Sequence, residues 1–218
     1  MTPSRRQFVA SIAAIPFLPD IAAGQPRSPA RIADPVLDQI VTDLQNLSNE
    51  FETQPRTRKI TLRALESTLS VAAAHIAVNY DAAVQVSLSR RQGRVGREAV
   101  IDDVVTRSHE SRHDVSHEAV DAEMKRLEQR GLSGCFRDMQ ETVKRIRLQA
   151  PDQIQAAAFP ASQWDYCSDL NWQIEMTECA MGIVCGIAIL EPTPGGEAIC
   201  GALTLVLGIL MTARWWFC

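Results

Sequence analysis

The last 52 residues of this 218-residue chain constrain its fold more than any other part. They contain two apolar segments, 180–190 and 198–213, separated by the turn sequence 191–197. This pattern predicts a hydrophobic helical hairpin with a polar tip. Five of the six cysteines also lie here, a density typical of small exported domains that are cross-linked by disulfides. The disulfide candidates are Cys135, Cys167, Cys179, Cys185, Cys200 and Cys218.

The tail sequence indicates cross-linking and close helix packing rather than metal binding. Six cysteines can pair in many ways, and the sequence does not select among them. No pair has C-x-x-C spacing and the tail has no histidine, so a structural zinc site is disfavoured. Trp215 and Trp216 favour a membrane–water interface. The glycines that would allow close contact between helices are Gly182, Gly186, Gly201 and Gly208.

The N-terminus has the pattern of an export signal. Arg5 and Arg6 precede Phe8 and an apolar run over 9–18, and small residues follow at 21–24. A paired arginine before a short apolar run is the twin-arginine form of a signal peptide. We therefore predict that residues 1–25 direct export through the twin-arginine translocase. The protein would then be secreted into a compartment where disulfides form.

Residues 34–149 are predicted to form a small helical bundle, and the fold class is all-α. Asp34 before Pro35 and the later Ser116 are expected helix N-caps, with apolar residues recurring at helical spacing between them. A helix beginning after Pro55 is expected to reach about residue 88, and a loop to contain Gly93 and Gly96. Gly131 is expected to end the helix that starts at Ser116. His75 is expected in the apolar core, and residues 150–163, rich in alanine with two prolines, as a linker to the hairpin of 164–218.

Charge narrows the range of partners. The chain has 22 basic and 26 acidic residues and a net charge of −4, without the basic excess of a nucleic-acid binder. Residues 167–218 contain five acidic side chains and one basic one, Arg214. The tail therefore cannot rely on attraction to anionic lipid, and any membrane action requires apolar insertion or a receptor.

One catalytic pattern occurs in the middle of the chain. His109, Glu110 and His113 match H-E-x-x-H, in which two histidines on one helix face bind zinc and the glutamate activates water. Charged residues surround the motif, and the candidates for a third ligand are distant. The nearest candidates are Glu128 and Glu141. His117 extends the row of histidines, but it would lie about 12 Å from His109 along the helix axis and so could not share one zinc ion with it. We favour a solvated helix face over a metal site, and we expect no cofactor and no enzymatic activity.

The order of these segments resembles the precursors of cysteine-rich halocin-type bacteriocins. The resemblance is carried by the signal, helical region, linker and Cys/Gly-interleaved tail stretches 181–190 and 199–203. The tail differs in having fewer cysteines and no adjacent pair near its start. The resemblance implies that a processing protease releases the tail as an antimicrobial peptide. It also implies that the peptide acts on the membrane or a surface receptor of competing cells, and that the helical region confers producer immunity.

Two other functions remain open at the level of sequence. The hairpin would serve equally as the membrane anchor of an exported protein, because its second arm approaches the roughly 20 residues that span a bilayer. The chain would be an exported zinc metalloprotease if His109, Glu110 and His113 formed a metal site with a third ligand.

Overall fold

Seven α-helices make up the computed structural model, which describes residues 34–110, 115–149, 164–190 and 195–218. None of these residues lies in a β-strand, which confirms the all-α prediction. A 3-10 turn, Pro55–Thr57, joins the first two helices. The helices are α1 (Pro35–Thr53), α2 (Arg58–Asn79), α3 (Asp81–Val95), α4 (Arg97–Glu110), α5 (His117–Gln149), α6 (Trp164–Leu190) and α7 (Gly196–Phe217).

Side-chain caps begin two of the helices, as the sequence predicts. The carboxylate of Asp34 accepts hydrogen bonds from the backbone N–H groups of Val36 and Leu37, at 3.1 and 3.0 Å. The hydroxyl of Ser116 accepts one from the N–H of Ala119 at 3.1 Å. Each cap satisfies N–H groups that have no partner within the first helical turn.

The boundaries in the middle of the bundle differ from the prediction. The helix expected to reach residue 88 ends at Asn79, and α3 begins two residues later because Tyr80 leaves helical geometry (φ −128°, ψ −28°). Gly93, expected in a loop, lies within α3, whereas Gly96 (φ +87°) does separate α3 from α4. The expected loop at Gly93 was wrong because a glycine is tolerated inside a helix whose other residues favour it.

Gly131 interrupts α5, as predicted for a helix terminator. Its φ of +68° and ψ of +175° lie in a region that is essentially restricted to glycine. A Cβ at this position would also lie 2.5 Å from Cγ of Asp81. That carboxylate accepts hydrogen bonds from the N–H (2.9 Å) and the hydroxyl (2.5 Å) of Ser133, so α3 caps the part of α5 that follows the kink.

The helical region and the hairpin share one hydrophobic core. The core cluster takes buried side chains from all seven helices, and residues Ala33–Cys218 form one compact unit. Helix α2 packs on α5, and the hairpin formed by α6 and α7 packs on α5 and α1. The predicted helical bundle followed by a disulfide-linked helical hairpin is therefore confirmed. The predicted signal peptide (1–25) and linker (150–163) lie outside the described residues.

The two helices that the linker joins are antiparallel neighbours. The Arg145 guanidinium is 2.5 Å from the Asp169 carboxylate, and the Thr142 hydroxyl donates to the Gln173 amide oxygen at 3.2 Å. From Thr142 to Arg145 along α5, the partner on α6 changes from Gln173 to Asp169, so the two helices run in opposite directions. The end of α5 and the start of α6 therefore lie side by side. The fourteen residues of 150–163 connect these neighbouring ends.

We predict opposite effects of alanine at two glycines. Gly131→Ala should lower the free energy of unfolding by about 2–4 kcal/mol, because it adds backbone strain and a clash with Asp81. Gly93→Ala, inside α3 with nothing within 4 Å of the added Cβ, should raise it by about 0.5–1 kcal/mol. Urea denaturation followed by circular dichroism measures both changes. Equal effects of the two substitutions would contradict this account of the kink.

Candidate functional site

The interface between the helical region (34–149) and the hairpin (164–218) is the candidate functional site, and we call it the hairpin interface. At the C-terminal end of α7, the Phe217 ring is buried and meets the Phe51 ring edge-on at 6.4 Å. The Arg58 guanidinium lies 3.6 Å from the centre of the Trp216 ring. Arg58 is itself buried, and its Nε donates to the Phe51 carbonyl oxygen at 3.0 Å. This group of residues therefore holds the end of the chain against α1 and α2, and we call it the C-terminal clasp.

Both disulfides of the structure lie within the hairpin. Cys167–Cys218 joins the start of α6 to the end of α7, with 5.9 Å between Cα atoms. Cys185–Cys200 joins the two arms near the tip, with 5.5 Å between Cα atoms. Both separations are usual for disulfides. The hairpin is thus closed at its base and near its tip by bonds that do not involve the helical region.

The other two cysteines are buried thiols near one carboxylate. The thiol of Cys135 donates to Oε1 of Glu123 at 2.8 Å, and Glu123 is almost fully buried. Burial raises the pKa of Glu123, and burial together with the charge of Glu123 raises the pKa values of the Cys135 and Cys179 thiols. Thiols with raised pKa values are poor nucleophiles. Cys135 and Cys179, two of the six disulfide candidates, are free thiols in the structure.

Arg126 links this buried carboxylate to the hairpin. Its guanidinium is 3.0 Å from Oε2 of Glu123 and also pairs with Asp138. The same group lies 4.7 Å from the centre of the Trp172 ring on α6. A cation over an aromatic face is attracted to it, more strongly where water is excluded. Helix α5 therefore contacts α6 through a cation–π pair, Arg126 and Trp172. Helix α2 contacts α7 through a pair of the same kind, Arg58 and Trp216.

Two of the four tail glycines that the sequence analysis singled out serve the predicted close packing. A Cβ on Gly182 would lie 2.8 Å from Cγ1 of Val104, and one on Gly186 would lie 2.8 Å from Cζ of Arg107. Helix α4 therefore crosses α6 at these two glycines. A Cβ on Gly201 or Gly208 would have nothing within 4 Å, so these two glycines of α7 do not make such a contact.

A polar cluster fixes the tip of the hairpin. The Asp34 carboxylate accepts hydrogen bonds from the Tyr80 hydroxyl and from Nε2 of His75, the latter at 2.6 Å. Gly195 (φ +80°) lies against the Tyr80 ring, where a Cβ would be 2.8 Å from Cζ. His75 was expected in the apolar core. That expectation is wrong, because its side chain is partly exposed and bonded to a carboxylate.

The carboxyl and phenol of this cluster have displaced pKa values. Burial raises the pKa of Asp34, but hydrogen bonds from Tyr80 and His75 outweigh burial and lower the pKa to about 2. Burial, and then the hydrogen bond to Asp34, raise the pKa of Tyr80 to about 12. The ionised carboxylate and the neutral phenol are therefore the stable pair across the neutral range.

The described part of the H-E-x-x-H motif lies at the end of α4. His109 and Glu110 are in its last turn, whereas His113 lies outside the described residues. The two candidates for a third ligand have other contacts, since Glu128 is 2.8 Å from Arg97 and Glu141 is 3.5 Å from Lys144. His117, which extends the row of histidines, is 3.0 Å from Asp102. Within the described ranges, no three histidine, cysteine or acidic side chains are grouped as for a metal ion.

One described helix, α7, is long and apolar enough to cross a bilayer. Its most apolar stretch has a mean hydropathy of 1.8, and 56% of that stretch is buried within the protein.

The export residues Arg5, Arg6 and Phe8 lie outside the described residues. Comparison with protein-family models, curated proteins and solved structures finds no match to this chain.

We predict that the Asp34 cluster is sensitive to acid. Asp34→Asn keeps the N-cap but removes the charge that Tyr80 and His75 contact, so it should cost about 1 kcal/mol near pH 5. A carboxyl whose pKa is lowered on folding contributes stability above its unfolded pKa and loses it as the pH falls towards 2. The difference from wild type should therefore shrink between pH 5 and pH 3, measured by urea denaturation. Glu52→Gln, at an exposed position on α1, is the control.

We predict that the two adjacent tryptophans differ in their contribution to stability. Trp216→Ala should lower the free energy of unfolding by about 2–3 kcal/mol, because it removes the ring that covers Arg58. Trp215→Ala should cost less than about 1 kcal/mol, because that ring is 53% exposed. Guanidinium denaturation of both variants tests this. If the Trp215 variant were the less stable one, the C-terminal clasp would not have the role assigned to it.

Proposed function

We propose that the chain is an exported precursor and that its hairpin is released as an antimicrobial peptide. The observation that carries the proposal is the position of the disulfides, since both join residues of the hairpin to each other. A cut in 150–163 would therefore yield a closed, cross-linked peptide held to the helical region by non-covalent contacts alone. Disulfides stabilise such a small unit by restricting its unfolded chain.

We also propose that the helical region covers the apolar surface of the hairpin, and the shared core supports this role. The hairpin's apolar side chains, such as Ile183, Leu203 and Phe217, are buried. Exposing apolar surface to water costs about 25 cal/mol per Å². Contacts with α1 and α5 keep part of this surface from water while the chain is intact. The same surface would be available to a lipid bilayer or a receptor once the hairpin was free.

The length of the linker supports processing at 150–163. Because the end of α5 and the start of α6 are neighbours, a connection of about 2–8 residues would join them. The chain provides fourteen residues there. A connection longer than the neighbouring helix ends require could be cut without breaking either helix. We propose that a processing protease cuts this segment.

The action of the free hairpin follows from its charge. Residues 167–218 have five acidic side chains and one basic one, so attraction to anionic lipid does not bring the peptide to a membrane. Two modes of action remain for the free hairpin: apolar insertion into the membrane of a competing cell, or binding to a receptor on its surface. The surface of the helical region that covers the hairpin is complementary to it, which is a basis for immunity of the producing cell.

A second candidate function is a membrane-anchored exported protein. It is favoured by α7 alone, which at 22 residues is about 33 Å long and apolar throughout its middle. An anchor needs neither two internal disulfides nor a long linker. We therefore rank it below the released peptide.

The mass of the secreted product tests the proposal. We expect the culture medium to contain a peptide that begins within or just after 150–163, ends at Cys218, and gains two hydrogens for each of two disulfides on reduction. A variant in which a short Gly-Ser connection replaces 152–161 is the control, and it should stay uncut. A full-length chain found only in the membrane fraction would overturn the proposal and support the anchor.

A further inference from the structure

Helix α2 has a second apolar face, which is exposed to solvent. Six of its residues recur at alternating spacings of four and three positions, and all six are exposed. They are Ile60, Ala64, Ser67, Val71, Ala74 and Val78, and we call them the outer face of α2. The exposed fractions of Ile60, Val71 and Val78 are 68%, 52% and 84%. Three large aliphatic side chains therefore lie in water along one line of the helix.

Neither the core nor helix propensity explains the residues of the outer face. The core uses other positions of α2, such as Leu62, Leu65 and Leu69. Residues 67–79 contain no aspartate, glutamate, lysine or arginine. Valine is a poorer helix former than lysine or glutamate, so an exposed valine does not help the helix to form. Contiguous apolar surface of this kind marks an interaction site.

The spacing of the outer face indicates that its partner is another helix. Residues that alternate three and four positions apart form a narrow stripe, and such a stripe packs against a second helix in a coiled coil. The small side chains of Ala64 and Ala74 would let two helix backbones approach closely. A helix that lies on a membrane instead has a broad apolar face bordered by lysine and arginine, which 67–79 lack.

The two ends of the outer face are complementary in shape. Val78, its most exposed member, lies near the C-terminal end of α2. At the other end, Ile60 and the 65% exposed Leu148 of α5 line a shallow groove of about 400 Å³. A projecting side chain at one end and a groove at the other are the two halves of a knob-into-hole contact.

A second copy of α2 running in the opposite direction fits this surface. If Ser67 of one copy lies beside Val71 of the other, the 3-4 spacing places Val78 of each copy at the groove beside Ile60 of the other. The same alignment sets the small residues Ala64 and Ala74 opposite each other. Because both copies use the same patch, the contact closes as a dimer about a two-fold axis.

Charge favours the antiparallel direction. Arg63 is exposed beside the outer face, near the start of α2. In a parallel pair the two Arg63 guanidinium groups would lie side by side and repel each other. In the antiparallel pair each lies towards the last turn of the partner's α2, where the backbone carbonyl groups carry partial negative charge. That last turn contains no basic residue of its own.

We propose that the outer face of α2 joins two copies of this chain as an antiparallel dimer. The interface belongs to the helical region and uses no residue of the hairpin. It therefore goes beyond the proposed release of the hairpin and does not depend on it. The two helical regions would stay paired before and after a cut in 150–163.

Sedimentation equilibrium of the purified full-length chain tests the proposal. We expect a mass of twice the 24.1 kDa chain, falling towards a single chain on dilution. Val71→Lys should raise the dissociation constant at least about tenfold, because it places two like charges near the two-fold axis. Val86→Lys is the matched control, since Val86 is 48% exposed but lies on α3, and it should dimerise like the wild type. Thermal unfolding followed by circular dichroism checks that both variants are folded.

Cross-linking tests the direction of the two helices. The variants Ile60→Cys and Val78→Cys, mixed and treated with a short bis-maleimide, should give a covalent dimer, whereas each variant alone should give little. The wild-type chain is the control, since Cys135 and Cys179, its free thiols among the described residues, are buried. Efficient cross-linking of either variant with itself would overturn the antiparallel arrangement.

Three results would overturn the dimer. The first is a single-chain mass at every concentration, and the second is a dimer that Val71→Lys leaves unchanged, which would place the interface elsewhere. The third is wild-type binding to phosphatidylcholine vesicles that Val71→Lys abolishes, which would assign the outer face to lipid. The mass of the secreted product tests the processing proposal separately, so the two proposals can fail independently.

Discussion

Burial of the apolar hairpin is the constraint on which the rest of the structure depends. Helices α6 and α7 contain no charged side chain over 179–188 or 198–213, so they need a neighbour that excludes water. Helices α1 and α5 supply that neighbour, and α2 and α4 pack around them. The protein is therefore one core assembled from two kinds of sequence, an ordinary amphipathic bundle and a nearly continuous apolar hairpin.

Polar contacts decide how the hairpin sits on the bundle. At its base, Arg58 lies between Phe51 and Trp216, and at its tip the Asp34–Tyr80 pair positions Gly195. Between them, Arg126 joins the buried Glu123 to Trp172. Burial of these charged groups is costly unless they are paired, so each of them favours one arrangement of the helices over its neighbours. Apolar contact alone would permit the helices to slide.

The covalent links lie within the hairpin, whereas non-covalent contacts join the hairpin to the helical region. Both disulfides act within the hairpin, whereas every contact described between hairpin and helical region is non-covalent. The proposed cut would use this boundary, because it would separate two parts that no disulfide joins.

The sequence by itself determined the helical class, the hairpin, and the helix signals at Asp34, Ser116 and Gly131, because each depends on neighbouring residues alone. It did not determine the break at Tyr80 or the partner of His75, since these arise from contacts with residues more than 40 positions away. No sequence signal indicated that Arg58 and Glu123 are buried, because a charged residue on a helix is ordinarily exposed and only packing can bury it. The tertiary structure likewise selects two pairings, Cys167–Cys218 and Cys185–Cys200, from those open to six cysteines. It does so by bringing the Cα atoms of each pair to a separation that a disulfide can bridge.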